Sequence, residues 1–422
     1  MAIFEVKGGA RLEGEVVLSG AKNAALPMLF GSLLSTGTVE LRNVPVRMAD
    51  IKVAIRILRK MGASVTVEGT TVAIDPSGVS SPVVPADLAS KIRYSLLLLG
   101  VMLVKFGRVE LPFPGGCDIG TRKFDLHIKG LQDLGADIEV TPEGITGRTG
   151  GLAGAKIDFY LPTTSGTENV MLAACRAEGR TVIRNANTRP EIADFAGFLR
   201  GMGAKIEVSS RLVTIDGVRR LKGTSHTVMS GGDEAMTYMI AAGVTGSEIV
   251  IRDYDLSTLR VDVQYLKEAG MRIFEWGNSV YVSAKNGLRP FDMFTAPYPG
   301  VNSDLQPLFA VLALCAPGVS TITDQRFTDR FAYVKQLRAF GANIENYGNC
   351  AVVTGGARLR GARVSATDLR GGTATVLAGL AASGTTRVEN VYQIDRGYEN
   401  LEKKLASLGA KIRRIGESRP AK

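Results

Sequence analysis

The chain has 422 residues, enough at about 100 to 200 per domain for two or three domains with a large core. Hydrophobic residues make up 45% and charged residues 22%, which excludes a disordered chain and leaves a globular enzyme or binding protein. Fifty-one basic against 41 acidic residues give a net charge of +10 without a run of five or more cations, and aromatics are only 6%, so anionic small molecules are expected as partners ahead of nucleic acid.

In chain order, the first recurring feature is a hydrophobic residue, a glycine, usually an alanine, and then strand-like alternation. It occurs at Met61-Gly62-Ala63, Leu134-Gly135-Ala136, Met202-Gly203-Ala204, Ala269-Gly270-Met271, Phe340-Gly341-Ala342 and Leu408-Gly409-Ala410. The glycines are 73, 68, 67, 71 and 68 residues apart, which predicts six units of about seventy residues. A second glycine keeps the same period, at Gly37, Gly107, Gly179, Gly246, Gly318 and Gly384. Each unit is therefore predicted to hold two helices that end near glycine and run into strands.

The helices before the first landmark are amphipathic, as where Ile51, Ile55 and Leu58 share a stripe and Lys52, Arg56, Arg59 and Lys60 lie off it. Those before the second are apolar almost all round: Ala24 to Leu34, Tyr94 to Val104, Val170 to Cys175, Ala235 to Val244, Leu305 to Cys315 and Thr373 to Ala382. They are too short to span a membrane and are expected inside the fold. The predicted class is α/β (α+β), two domains of three units each, with buried helices inside and sheets outside.

Polar and charged residues gather where the buried helices begin, among them Lys22 and Asn23, Arg93, Ser165 and Gly166, Asp233, Asp304, and Asp368 with Arg370. Free N–H groups and the positive end of the helix dipole suit an anion there. Ser165 and Asp233 are also ordinary caps. Lys22, Arg93 and Arg370 oppose the dipole, which calls for an anion beside them.

The loop from Pro114 to Lys123 sets Cys117 among glycines near Arg122 and Lys123, a setting that favours thiolate, whereas Cys175 and Cys315 lie in apolar helices. Nearby His127 is a candidate base, or simply a packed or capping residue. Nucleotide-binding glycine turns, the P-loop and HExxH are missing, and with only His127 and His226 no histidine-based metal site is expected. The cysteines form no CxxC pair, and no secretory leader or membrane span is seen, so a cytoplasmic protein is expected.

Four motifs in order identify a family. The run Ser19 to Pro27 (SGAKNAALP), the loop Pro114-Gly115-Gly116-Cys117 with Arg122 and Asp125-Leu126-His127, the segment Ala366 to Arg370 (ATDLR), and Ile394 to Glu399 (IDRGYE) closely resemble the UDP-N-acetylglucosamine 1-carboxyvinyltransferases. These enolpyruvyl transferases open peptidoglycan precursor synthesis, and the resemblance covers essentially the whole chain. The sister family acting on shikimate 3-phosphate lacks the Gly-Gly-Cys loop and the Lys-Asn pair.

The resemblance implies two inside-out α/β barrel (prism) domains, residues 22–229 and residues 1–21 plus 230–422, with the active site in the cleft between them. It implies that Lys22, Arg122 and Arg396 hold the phosphate of phosphoenolpyruvate, with Arg330 and Arg370 near its carboxylate and Arg93 in the same basic wall. Asp368 belongs to the matched substrate-binding segment. Cys117 would protonate the methylene carbon, and Asp304 would take the proton of the sugar 3-hydroxyl. Asn23 would contact the sugar, Arg122, Leu126 and His127 the uridine, and Ser165 and Gly166 the diphosphate. No metal or organic cofactor is implied, and the loop's resemblance implies alkylation of Cys117 by fosfomycin.

The departures concentrate in the sugar-nucleotide half. Ser230 to Met236 (SGGDEAM) stands where the family shows Pro-Asp-Arg-Ile-Glu-x-Gly, Thr164 to Glu168 (TSGTE) replaces Ser-Val-Gly-Ala-Thr, and Val301 to Asp304 (VNSD) replaces Phe-Pro-Thr-Asp. Thr328 to Phe331 (TDRF) replaces Glu-Asn-Arg-Phe. They raise the alternative of a paralogue in secondary metabolism that enolpyruvylates a different nucleotide or nucleotide-sugar. A non-catalytic relative is disfavoured by the presence of both Cys117 and Asp304.

Overall fold

The structure, a computed structural model, describes residues 2–116, 123–327 and 330–416. The chain forms two compact units, one of residues 20–116 with 123–229, the other of residues 2–19 with 230–416. The fold is mixed α/β.

In the first unit the sheets order their strands as Ser225–Thr227, Val39–Arg42, Thr71–Asp75, Ser64–Glu68; as Arg108–Pro112, Gly144–Arg148, Asp137–Thr141; and as Lys156–Asp158, Arg180–Arg184, Leu212–Asp216, Lys205–Ser209. The second unit has Glu15–Val17, Glu248–Arg252, Ser279–Ser283, Arg272–Trp276; Asp292–Phe294, Gly318–Thr323, Cys350–Gly355, Asn343–Tyr347; and Arg363–Ser365, Thr385–Glu389, Ile3–Lys7, Lys411–Ile415. Each four-stranded sheet carries one short parallel strand at an edge, and its other pairings are antiparallel. In the last sheet the N-terminal strand occupies an interior position, with Phe4 opposite Val388 on one side and Arg414 on the other.

The apolar segments are helices: Lys22–Gly31, Leu98–Phe106, Thr164–Ala174, Gly232–Thr245, Gln306–Cys315 and Leu369–Ala381. All-round hydrophobicity leaves no face for water, and their central residues are buried. In the second unit the three such helices pack on one another. In the first, Leu98–Phe106 packs on both Lys22–Gly31 and Thr164–Ala174. Gly100 makes that crossing possible, because a Cβ there would stand 2.6 Å from Asn169 Oδ1.

The amphipathic stripe read from residues 51–60 is seen in the helix Ala49–Lys60, with Ile51, Ile55 and Leu58 buried and Lys52, Arg56, Arg59 and Lys60 exposed. Its stop is Gly62, at φ +105°, where a side chain would be strained and its Cβ would meet the Gly78 carbonyl oxygen at 2.4 Å. Gly37 differs from the other second-landmark glycines, which have positive φ. The helix before it closes through the 3₁₀ turn Ser32–Leu34, so no left-handed residue is needed there.

Candidate functional site

In the first unit Lys22, Asn23, Arg93, Leu126, His127, Ser165 and Gly166 each lie at the start of a helix or helical turn, and of these the structure joins His127 to Ser165. Lys22 opens its helix with Nζ 3.1 Å from Asp50 Oδ2, and both side chains are largely buried. Asp50 lies in the first turn of Ala49–Lys60, where an acid also suits the dipole. Asn23, half-buried, is the next residue of the same turn as Lys22. Arg93 begins the 3₁₀ turn Arg93–Leu97, donates to the Lys123 carbonyl at 2.9 Å and stacks over Phe124 with 5.7 Å to the ring centroid.

Leu126 and His127 are buried on Asp125–Asp133, a helix packed against Thr164–Ala174. His127 Nε2 lies 2.9 Å from Ser165 Oγ, and Nδ1 lies 3.1 Å from Asn169 Nδ2. Ser165 and Gly166 form the first turn of Thr164–Ala174, which Thr163 caps by accepting the Gly166 N–H at 3.3 Å.

In the second unit Asp304, Arg330 and Arg370 form one array. Asn302 caps the turn Ser303–Leu305 by accepting from Asp304 N, and so fixes the base of the Asp304 side chain. Arg330 donates to Asp304 Oδ1 at 2.6 Å and to Ser303 Oγ at 3.2 Å, and Arg370 Nε donates to Asp304 Oδ2 at 3.4 Å. The two guanidinium side chains are only 5% and 4% exposed, against 26% for the carboxylate. Asp304 is thus an accessible acceptor seated on two buried cations.

Arg370 also bonds Asp233 and donates to Tyr398 at 2.7 Å, and its guanidinium lies 5.1 Å from the Tyr398 ring centroid. Burial opposes its charge, but Asp233, Tyr398 and Asp304 outweigh that and hold it cationic above the usual arginine range. Asp368 accepts the N–H groups of Arg370 and Gly371 at 2.9 and 3.1 Å, so its carboxylate is the cap of Leu369–Ala381. Arg396 is buried and donates to Gln393 Oε1 at 3.3 Å.

Cys117 and Arg122 lie outside the described residues. Burial pushes the thiols of Cys175 and Cys315 up to about 12, which makes them poor nucleophiles at neutral pH. Among the described residues there is no group of three or more His, Cys, Asp or Glu placed to hold a metal ion, and no helix long and apolar enough to cross a membrane.

Sequence reasoning missed Asp50, Tyr398 and Asn169 as partners of the named residues. At Lys22 and Arg370 the anion that the helix dipole calls for is supplied by the chain itself, through Asp50 and through Asp233 with Asp304. Tyr398 sits in a quoted motif and was discoverable there. Asp50 carries only the weak signal of an acid in a first helical turn.

The family described as EPSP synthase (3-phosphoshikimate 1-carboxyvinyltransferase) matches residues 6–405. Two UDP-N-acetylglucosamine 1-carboxyvinyltransferases are each 42% identical to the chain. That of Geotalea uraniireducens aligns over 98% of this chain and 99% of its own length, and that of Magnetococcus marinus over 97% and 99%. Among solved structures, the enolpyruvyl transferase NikO from Streptomyces tendae superposes with a TM-score of 0.89 at 25% identity, covering 98% of each chain. EPSP synthase from Acinetobacter baumannii superposes at 0.75 with 18% identity, over 99% of this chain and 100% of its own, a likeness of fold.

Proposed function

Because the chain belongs to the enolpyruvyl transferase family, we propose that it moves the enolpyruvyl group of phosphoenolpyruvate onto the 3-hydroxyl of UDP-N-acetylglucosamine, releasing phosphate, the step that opens peptidoglycan precursor synthesis. The observation that carries this reading is 42% identity, over nearly the full length of both chains, to transferases named for that acceptor.

The sugar 3-hydroxyl oxygen adds to C2 of the enol while a proton goes to C3, giving a methyl-bearing tetrahedral intermediate. Loss of phosphate from C2 and of a proton from C3 then restores the double bond on the new ether. Cys117 is the proposed acid for C3 and Asp304 the base for the hydroxyl. Asp304 suits that role because it is the accessible member of its array and is held from behind by Arg330 and Arg370. Lys22, Arg122 and Arg396 are assigned to the phosphate, where fixed cations stabilise the departing dianion. Arg330 and Arg370 are assigned near the carboxylate, with Arg93 in the same basic wall. Asp368 acts on that group by capping the helix that presents Arg370. Asn23 is assigned to the sugar, Leu126 and His127 to the uridine, and Ser165 and Gly166 to the diphosphate.

The finer architecture belongs to the same reading: two inside-out barrel domains, 22–229 and 1–21 with 230–422, each of three repeats with helices inside and sheets outside. Its support is the short parallel edge strand that recurs in five sheets and the burial of six helices. A cytoplasmic location belongs to the same reading.

The change to Gly231-Gly232-Asp233 favours a second reading, a paralogous enolpyruvyl transferase with a different nucleotide or nucleotide-sugar acceptor. Against it, the added acid is matched by Arg370 and presents no uncompensated charge to a sugar nucleotide. Phosphate release from phosphoenolpyruvate, measured with UDP-N-acetylglucosamine and with other nucleotides and nucleotide-sugars, decides between them. Turnover with the sugar nucleotide is expected, and turnover with only another nucleotide overturns the assignment. Exposure to fosfomycin with the sugar nucleotide is expected to add one adduct at Cys117, read by intact mass and absent from Cys117→Ala.

A further inference from the structure

The amide of Asn169 is oriented independently of His127. Asn169 is fully buried, and its Oδ1 accepts the backbone N–H of Gly100 at 3.0 Å, a group that only donates. Nδ2 therefore faces the other way, toward the Leu96 carbonyl oxygen at 3.0 Å and His127 Nδ1 at 3.1 Å. An amide nitrogen also only donates, so Nδ1 of His127 is an acceptor and the neutral imidazole carries its hydrogen on Nε2. Nε2 then donates to Ser165 Oγ at 2.9 Å, and the serine's own hydrogen is left for a different acceptor.

We propose that Asn169 is a positioning residue for the acceptor substrate: by locking His127 as the Nε2–H tautomer it makes Ser165 a hydrogen-bond donor to the sugar nucleotide's diphosphate. A serine–histidine pair built for nucleophilic attack is wired in reverse, with an orienting group that accepts from Nδ1–H and a ring that takes the serine proton. Asn169 cannot play that part while Gly100 and Leu96 hold its two ends. The tautomer follows from these contacts alone, whereas the diphosphate rests on the proposed function.

Two-bond ¹H–¹⁵N correlation spectra of the histidine rings test the tautomer directly, and a His226→Gln variant assigns the two rings. His127 is expected with Nε2 protonated and Nδ1 bare. Asn169→Asp retains the acceptor for Gly100 and places a second acceptor opposite Nδ1. At about pH 8.5, above the ordinary imidazole range, its ring proton is expected on Nδ1, and Ser165 turns its hydrogen to Nε2. By calorimetry, the Kd for UDP-N-acetylglucosamine is then expected to rise about tenfold, as for loss of one hydrogen bond to a charged group. Ser165→Ala is expected to raise it equally, and the double variant no further. Nδ1–H in the unaltered protein, or additive losses in the double variant, overturns the proposal. Failure of the unaltered protein to bind UDP-N-acetylglucosamine, with His127 still the Nε2–H tautomer, overturns the assignment of Ser165's acceptor and the proposed function, and leaves the lock itself standing.

Discussion

Glu168 is fully buried in the helix Thr164–Ala174, and neither of its carboxyl oxygens has a hydrogen-bond partner among the described residues. Burial raises its pKa well above 4.5, with Glu191 adding to the rise and Arg189 opposing it. The folded state therefore holds a proton that the unfolded chain releases. Below pH 4.5 both states are protonated and Glu168 carries no linkage cost. As pH rises past that value, the unfolded chain gains about 1.4 kcal/mol per pH unit until the folded carboxyl ionises too. Glu168→Gln removes that slope. Denaturant unfolding is expected to show the variant more stable than the unaltered protein at pH 8, with the gain shrinking as pH falls toward 5. Equal differences at the two pH values would mean that Glu168 is ionised in the fold.

At the scale of elements, the cap on Leu369–Ala381 joins stability to the site. Asp368→Ala leaves two N–H groups of the first turn unbonded and is expected to cost about 1 kcal/mol, whereas Asp368→Asn retains a capping oxygen and is expected to cost less. Because Arg370 is the second residue of this helix, the alanine variant is also expected to lower kcat/KM for phosphoenolpyruvate more than the asparagine variant does. Equal activity in the two would separate the cap from the site. Local pattern exposed these helices well, since all-round apolarity and a stop at Gly62 are properties of neighbouring residues. What pattern could not expose are pairings set by close packing across the chain: Asn169 with Gly100, Arg370 with Asp233, and Ile3–Lys7 between strands some 380 and 410 residues later. Of the candidate site, the family resemblance grouped Arg330 with Arg370 and named Asp304 apart from them, and only their shared hydrogen bonds explain why one carboxylate sits on two buried cations.

Over the whole molecule the net charge of +10 has consequences beyond any single contact. Several basic side chains are already neutralised in pairs, as Arg180 is by Asp216, Arg413 by Glu5 and Arg414 by Asp395 and Glu402. The excess is not cancelled by such pairs, and both proposed substrates are polyanions, so the summed field favours their approach. That attraction acts mainly beyond contact distance and is screened as the Debye length shrinks, from about 10 Å at 0.1 M salt to about 3 Å at 1 M. Raising sodium chloride from about 20 to 500 mM is therefore expected to lower kcat/KM for UDP-N-acetylglucosamine several-fold, while kcat at saturation changes much less. Arg330 and Arg370, the buried cations beneath Asp304, feel salt weakly, so a loss confined to kcat/KM assigns the effect to capture. If kcat fell in parallel, the salt would be acting on the reacting groups or on the fold, and the excess charge would have no steering role.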